Sequence, residues 1–374
     1  MESHQILIGD CIDMMRTLPD ESVHTCITSP PYFGLRDYGV EGQIGLEETP
    51  AEFIQRLVEV FREVRRVLRK DGTAWVNMGD SYASKPNGPL GSGGHLVDLP
   101  HVAVRTAQSR RSSRVPEGFK HKDLMGMPWR LAFALQDDGW YLRQDIIWHK
   151  PNPMPESTRD RCTKAHEYLF LLSKSRRYHC DMEAIREPAI YGPTPTGVGF
   201  GHGFGEVTKP RATVPAGWDT SKGEGGHGAF HQEGSARAKR DSFKRDESKR
   251  AQQIPKQNNG THRPDRAEST YDLHTRNKRS VWTVATHAFK GAHFATFPPD
   301  LIRPCVLAGA PRGGLVLDPF GGAGTTGVVA MQEGRRSILC ELNPAYAAMA
   351  RARLDQAWID GAAQMDMLMD VPAA

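Results

Sequence analysis

The feature that most constrains this chain lies near its C-terminal end, in Gly314-Leu315-Val316-Leu317-Asp318-Pro319-Phe320-Gly321-Gly322-Ala323-Gly324-Thr325-Thr326-Gly327. Leu315–Leu317 reads as a short buried strand and Thr325–Gln332 as a helix. Between and into them, Gly322, Gly324 and Gly327 fall in GxGxxG spacing. Glycines at a strand-to-helix turn permit a tight reversal and let a ligand approach the backbone. Ser337–Glu341 reads as the next strand, and the Glu341 carboxylate at its end can accept hydrogen bonds from ribose hydroxyls. Two cofactors fit that local pattern. A dinucleotide would set its pyrophosphate at the helix N-terminus; S-adenosylmethionine needs the same close approach and acidic ribose anchor without a phosphate. A phosphate-binding P-loop is excluded, because no Lys-Ser/Thr follows the glycines. Only 47 residues follow Gly327, too few to complete a sheet begun at Leu315. The remaining strands must come from the N-terminal part, which makes the order permuted: the cofactor half of the sheet late, the other half early.

The N-terminal part supplies strands and helices in alternation. Gln5–Ile8 and Val23–Thr28 read as strands, the second stopped by Pro30 and Pro31, which lack N–H donors. Thr49 is placed as a helix N-cap, with Pro50 at the first helical position and Glu52 completing a capping box. Phe53, Leu57, Val60, Val64 and Leu68 recur at helical spacing, and Asp71-Gly72 is expected to end that helix. Thr73–Met78, Leu142–Trp148 and Tyr168–Leu172 read as strands and Leu124–Gln136 as a helix, while 84–122 has loop composition. Residues 188–280 break the pattern: Gly, Lys, Arg, Ser and His dominate and apolar periodicity is lost, so the segment reads as an insertion, partly disordered when free. Regular structure resumes at Ser280–Thr283, followed by a helix over Asp300–Leu307 and a last helix from Pro344. Strand–helix alternation of this kind implies a parallel-rich sheet covered on both faces. The expected organisation is 1–187 and 281–374 as two parts of one domain, with 188–280 inserted between them.

Charge singles out the same insertion. Residues 201–280 carry 16 Lys and Arg against 10 Asp and Glu, whereas the whole chain is only +4. A basic excess held in one segment fits a polyanionic partner. None of the six cysteines, Cys11, Cys26, Cys162, Cys180, Cys305 and Cys340, forms a CxxC pair; they read as buried thiols rather than as a metal or redox motif. No metal is expected. No apolar run approaches the ~20 residues that span a membrane, and Met1-Glu2-Ser3-His4 lacks the pattern of a secretory signal, so a cytoplasmic protein is expected.

Thr28-Ser29-Pro30-Pro31-Tyr32 ends an apolar strand, and ligands of open α/β sheets bind at such carboxyl ends. A bare Pro-Pro-Tyr also makes an ordinary structural turn. The chemistry available here is more specific. An exocyclic amine on a nucleobase is a poor nucleophile because its lone pair is delocalised into the ring. Acceptors on both of its N–H bonds localise that pair, and Ser29 Oγ with the Pro30 carbonyl could be those acceptors, held by the two prolines. Tyr32 offers an aromatic face to an extruded base.

With these residues in view, the chain resembles the DNA amino-methyltransferases, the N4-cytosine and N6-adenine family, in the β order of motifs. In that group a (S/D/N)-Pro-Pro-(Y/F) motif comes first, the target-recognition region second and the cofactor glycines last, as Ser29–Tyr32, the basic insertion and Asp318–Gly324 do here. The resemblance implies an α/β, Rossmann-like, S-adenosylmethionine-dependent methyltransferase fold with a mostly parallel, seven-stranded sheet. It implies catalytic roles for Ser29, Pro30, Pro31 and Tyr32. It implies S-adenosylmethionine contacts for Asp318, Pro319, Phe320, Gly322, Gly324, Thr325 and Glu341. It adds Asp10, from the early Gly9-Asp10 segment, and Phe297, from His293–Pro298; Asp10 could equally be an N-cap and Phe297 plain core. Trp148-His149-Lys150-Pro151-Asn152-Pro153 resembles a segment beside the target base, with Lys150 either on the DNA backbone or solvated. Arg237, Lys239, Arg240, Lys244 and Arg245, with His227, are the insertion's candidates for DNA contact.

The partner implied is duplex DNA, with the target base flipped out, in a bacterial or phage-encoded restriction–modification setting that can include a cognate restriction endonuclease and a homodimer. Cytosine C5 chemistry is disfavoured, because its thiolate nucleophile sits in a loop Pro-Cys, whereas Pro304-Cys305 falls in an expected helix. In this family serine at the first motif position is typical of N4-cytosine enzymes and aspartate of N6-adenine enzymes, so Ser29 favours cytosine N4. N6-adenine methylation, an RNA or protein-amide substrate, and an inactive DNA-binding protein are the alternatives.

Overall fold

The computed structural model describes residues 3–35, 39–83, 115–188, 275–286 and 297–369, the last eight of these by backbone alone. Among the described residues ten strands run in chain order: β1 (His4–Ile8), β2 (Val23–Thr28), β3 (Leu68–Met78), β4 (Tyr141–His149), β5 (His166–Ser173), β6 (Glu187–Pro188), β7 (Thr275–Arg276), β8 (Val281–Thr283), β9 (Leu315–Asp318) and β10 (Arg336–Glu341). The helices are α1 (Cys11–Arg16), α2 (Pro50–Val67), α3 (Met127–Asp137), α4 (Pro299–Gly309), α5 (Thr325–Gln332) and α6 (Pro344–Met369). Eight strands form one sheet in the order β1-β10-β9-β2-β3-β5-β4-β8. Every pairing is parallel except the two made by β5. The sheet has one strand more than the seven expected, because three-residue β8 pairs with β4 at the edge.

The permutation is realised in the strand order. Late strands β9 and β10 lie between β1 and β2, so both ends of the described chain build one half of the sheet. β9 and β2 are neighbours in the sheet, with Val316 opposite Thr25 and Leu317 opposite Cys26, and their carboxyl ends therefore open side by side. Helices cover both faces. Met15 of α1, Phe53, Leu57, Val60, Phe61 and Val64 of α2, and Leu131 and Leu135 of α3 share one buried cluster. On the other face Leu301, Ile302, Cys305 and Val306 of α4 and Val329 of α5 pack with Ile27, Trp75 and Trp282. Each fully buried large apolar side chain of this kind contributes about 1.5–3 kcal/mol.

The α2 capping box forms as the sequence requires: Glu52 N donates to Thr49 Oγ1 at 3.2 Å, and Thr49 N donates to Glu52 Oε2 at 3.0 Å. The helix does not end at Asp71-Gly72. Leu68 already has extended backbone (φ −66°, ψ 139°), and Asp71 and Gly72 lie inside β3. Gly72 serves a strand irregularity instead. The β2–β3 register shifts between Val23 and Thr25, and a Cβ at Gly72 would sit 3.1 Å from the His24 carbonyl oxygen. Glycine in a strand marks such bulges and close backbone approaches as readily as it marks a helix end.

By backbone contacts Met1–Glu187 and Arg276–Ala374 belong to one unit. The short strands β6 and β7 pair with each other. Among the described residues no helix is long and apolar enough to cross a membrane. Four of the six cysteines are buried and Cys180 is half-buried, but Cys162 is exposed, against the expectation of six buried thiols.

Candidate active site at the carboxyl ends of the strands

Two strand ends and a helix start meet around Asp318, the last residue of β9. Its side chain is buried and fully engaged. Thr28 Oγ1, from the end of β2, donates to Oδ1 at 2.7 Å; Phe320 N donates to the same oxygen at 3.1 Å; Thr326 Oγ1, from the first turn of α5, donates to Oδ2 at 2.6 Å. Burial pushes this carboxyl up to about 6, although the three donors pull the other way. Asp318 thus pins β2, the glycine turn and α5 to one point.

One strand further out, Glu341 ends β10. Its Oε2 accepts from Gly322 N at 2.7 Å and its Oε1 from Asn343 N at 2.8 Å, and burial again raises the carboxyl above its ordinary range. Each oxygen has lone-pair capacity left. Gly9 N, after β1, donates to the Glu341 carbonyl at 3.0 Å, which places Asp10 alongside. Asp10 caps α1, accepting from Ile12 N at 2.9 Å and Asp13 N at 3.3 Å through Oδ1, with Arg56 Nη2 3.5 Å from Oδ2.

Ser29 follows β2 directly, and the loop it opens is held from the far side of the sheet. Tyr32 OH donates to Glu167 Oε2 at 2.8 Å. Glu167, second residue of β5, also receives Asn77 Nδ2 at 3.2 Å on Oε2 and Lys150 Nζ at 2.5 Å on Oε1. Desolvation and the Glu167 carboxylate hold the Tyr32 phenol well above its usual range; the neighbouring Ser29 hydroxyl and Gly79 backbone oppose them. Gly79, just past β3, leaves room for this cluster: a Cβ there would lie 2.9 Å from Tyr32 Cε2 and 3.1 Å from Glu167 Cδ. Pro30 is buried, and Ser29, Pro31 and Tyr32 are half-buried.

The site lies where β9 and β2 meet, the topological switch point of the sheet, at which ligands of open α/β sheets bind. Acidic and glycine groups on β9 and β10 face one half, and a serine-proline-tyrosine loop on β2 faces the other. A family model described as DNA methylase, of the N6 and N4 methyltransferases, matches residues 23–352. The chain belongs to this family. It is an S-adenosylmethionine-dependent DNA methyltransferase.

Relatives of this DNA methylase include the Type II methyltransferase M.Cfr9I of Citrobacter freundii, 42% identical over 346 residues, covering 92% of this chain and 86% of that one. M.SmaI of Serratia marcescens is 39% identical over 354 residues, covering 95% and 91%. The solved cytosine-N4-specific PvuII DNA methyltransferase aligns with a TM-score of 0.53 at 16% identity, covering 94% of this chain and 88% of its own; at that identity the likeness shows the shared fold.

The residues present fit the methyl donor. Glu341 retains acceptor capacity for two hydroxyls on rigid backbone anchors, and Gly322 N–H orients the carboxylate. Phe320 and Phe297 are half-buried, and Phe320 packs against the cluster of α1, α2 and α3. The methylase's other candidate cofactor residues have further work. Pro319 is buried. Gly324 is required by α6, since a Cβ there would lie 2.8 Å from Ala350 Cβ, and a Cβ at Gly327 would lie 3.1 Å from both Leu339 Cδ1 and Leu354 Cδ2. Thr325 Oγ1 accepts from Arg353 Nη1 at 3.1 Å. Phe297 packs on the α4 cluster. The Lys150 ammonium is paired with Glu167 and lies 4.3 Å from the Trp148 ring centroid, rather than being fully solvated. His227, Arg237, Lys239, Arg240, Lys244, Arg245 and His293–Thr296 lie outside the described residues. The sequence reading missed Glu167, Asn77 and Gly79. The signal for Glu167 was a carboxylate heading the apolar run Tyr168–Leu172.

Proposed function

We propose that this methyltransferase modifies the exocyclic N4 amine of cytosine, extruded from duplex DNA at a short sequence read by residues 188–280. The observation that carries the reading is Ser29, immediately after β2, at the head of a loop whose strand is tied through Thr28 to Asp318. Serine at that position is the N4 pattern of the family.

Ser29 Oγ and the Pro30 carbonyl accept from the two N–H bonds of the amine and localise its lone pair. Pro30 and Pro31 restrict the backbone that carries those acceptors. Tyr32 gives the extruded base an aromatic face. Glu341 and Gly322 hold the donor, which when bound supplies a sulfonium methyl for direct displacement. The chain contributes placement and polarisation rather than a covalent link. Cys305, the one cysteine after a proline, is buried inside α4 with its thiol pushed up by burial, which is unsuited to thiolate attack. The relatives are named Type II methyltransferases, which supports an enzyme working beside a restriction endonuclease of the same sequence specificity.

Expression in a host that lacks DNA methylation, followed by sequencing that distinguishes modified bases, tests this. N4-methylcytosine at one short sequence supports the proposal. N6-methyladenine at that sequence would overturn the choice of base and leave the site intact.

A further inference from the structure

We propose that Met154 is the wedge of base extrusion: its side chain enters the base stack of the duplex and fills the gap that the extruded target base leaves. The inference rests on the reading that the target base is extruded from duplex DNA.

Met154 is placed against its chemistry. It is 86% exposed, more than any other large apolar side chain among the described residues; the next, Trp358, is 67% exposed. Burial is the ordinary fate of methionine, and Met15 and Met78 are fully buried. The loop that carries Met154 is braced. Lys150 N donates to the Ala165 carbonyl at 2.8 Å, which closes residues 151–164 at their base. Asn152 Nδ2 donates to the Thr286 carbonyl at 3.0 Å, and its Oδ1 accepts from Thr286 N at 2.9 Å. Glu156 accepts from Arg161 through Oε2 and from Lys164 N at 3.4 Å through Oε1, and the Arg161 guanidinium lies 3.9 Å from the Tyr82 ring centroid. Pro153 and Pro155 fix φ on either side of Met154. The side chain thus projects from a held frame.

The frame stands beside the proposed base site. β2, β3, β4 and β8 run in one direction and β5 in the other, so the loops after β2 and β4 open on the same edge of the sheet. There the Lys150 ammonium and the Tyr32 hydroxyl share the Glu167 carboxylate, at 2.5 and 2.8 Å. Met154 lies four residues beyond Lys150, a reach of at most about 14 Å. A base swung out of the stack sits about a groove's width from the place it left, roughly 6–12 Å. One duplex can therefore meet Tyr32 with the base and Met154 with the gap. An unbranched, polarizable thioether suits insertion between base steps. Arg159, five residues on, is exposed and has no ion-pair partner among the described residues, which leaves a cation for a phosphate of the same strand.

The test uses the full-length enzyme, labelled S-adenosylmethionine, a duplex that the wild type methylates, and a second duplex in which the target base faces an abasic position. Met154→Ala should methylate the matched duplex roughly 10- to 100-fold more slowly in single turnover, because the stack then opens without a filler. On the second duplex, where extrusion breaks no pair, it should come within about threefold of wild type. Met154→Leu keeps an apolar filler of similar volume and should stay within about threefold of wild type on both. The exposed position predicts an unchanged urea midpoint for both variants. A Met154→Ala rate equal to wild type on the matched duplex, an equal loss on both duplexes, or Met154→Leu as slow as Met154→Ala would overturn the proposal. A fluorescent analogue of the target base, brighter when unstacked, separates the two levels. No rise in emission with wild type would sink extrusion itself, whereas a wild-type rise matched by Met154→Ala would sink only the wedge.

Discussion

Asp318→Asn should change how the stability of this protein depends on pH, by an amount the structure sets. Burial raises the Asp318 carboxyl from 3.8 to about 6 despite donors from Thr28, Thr326 and Phe320 N. That is about two pH units, or about 3 kcal/mol at roughly 1.4 kcal/mol per unit. A raised carboxyl binds its proton more tightly folded than unfolded. Below pH ~4 it is neutral in both states and contributes no pH dependence. Between pH ~4 and ~6 the unfolded chain ionises first, so wild-type stability falls as pH rises, and the loss is complete above the folded value. Asparagine cannot ionise, and its remaining differences from aspartate cancel when pH values are compared. Urea unfolding of both proteins from pH 4 to 7.5 should show wild type losing about 3 kcal/mol relative to Asp318→Asn over that range. A pH-independent difference, or one that favours wild type as pH rises, would refute the reasoning.

Three further outcomes follow from the same geometry. Glu341→Gln places an amide donor against either Gly322 N–H or Asn343 N–H, both of which now donate to the carboxylate; titration calorimetry should show cofactor affinity weakened by about 1–3 kcal/mol, and an unchanged Kd would remove Glu341 from the donor site. Gly79→Ala drives a methyl to 2.9 Å from Tyr32 Cε2, so turnover should fall at least tenfold, as misplacement by a fraction of an ångström does, with cofactor Kd intact; equal turnover would show that the Tyr32 ring position is immaterial. Thr49→Ala breaks the α2 capping box and should cost about 0.5–2 kcal/mol in denaturant unfolding, with turnover per folded molecule unchanged.

The glycine turn was legible from its spacing between a strand and a helix, and the early strand β1 and late strands β9 and β10 do gather in one half of the sheet. Helix starts were legible where a cap is chemical, as at Thr49. The end of α2 was not, because glycine serves strand bulges and helix ends alike, and Gly72 answers to a carbonyl on β2. Roles within the glycine motif were less visible than its presence. Gly324 and Gly327 make room for α6, β10 and their side chains, and Asp318 is consumed by partners that include Thr28, which precedes it by 290 positions. Glu167 stayed hidden for the same reason. Its partners Tyr32 and Asn77 are separated from it by 135 and 90 positions, and only the sheet brings them to one carboxylate. The pairing of Lys150 with Glu167 was hidden in the same way.

The most direct test of the account is single-turnover methyl transfer from labelled cofactor by wild type and Ser29→Ala, with the DNA digested to nucleosides and analysed by mass spectrometry. The account predicts label in N4-methylcytosine, a rate about 10²-fold lower for Ser29→Ala, as for loss of one preorganised hydrogen-bonding group at a reacting centre, and cofactor Kd values within twofold of each other. Label on another base position, or a Ser29→Ala rate equal to wild type, would contradict it.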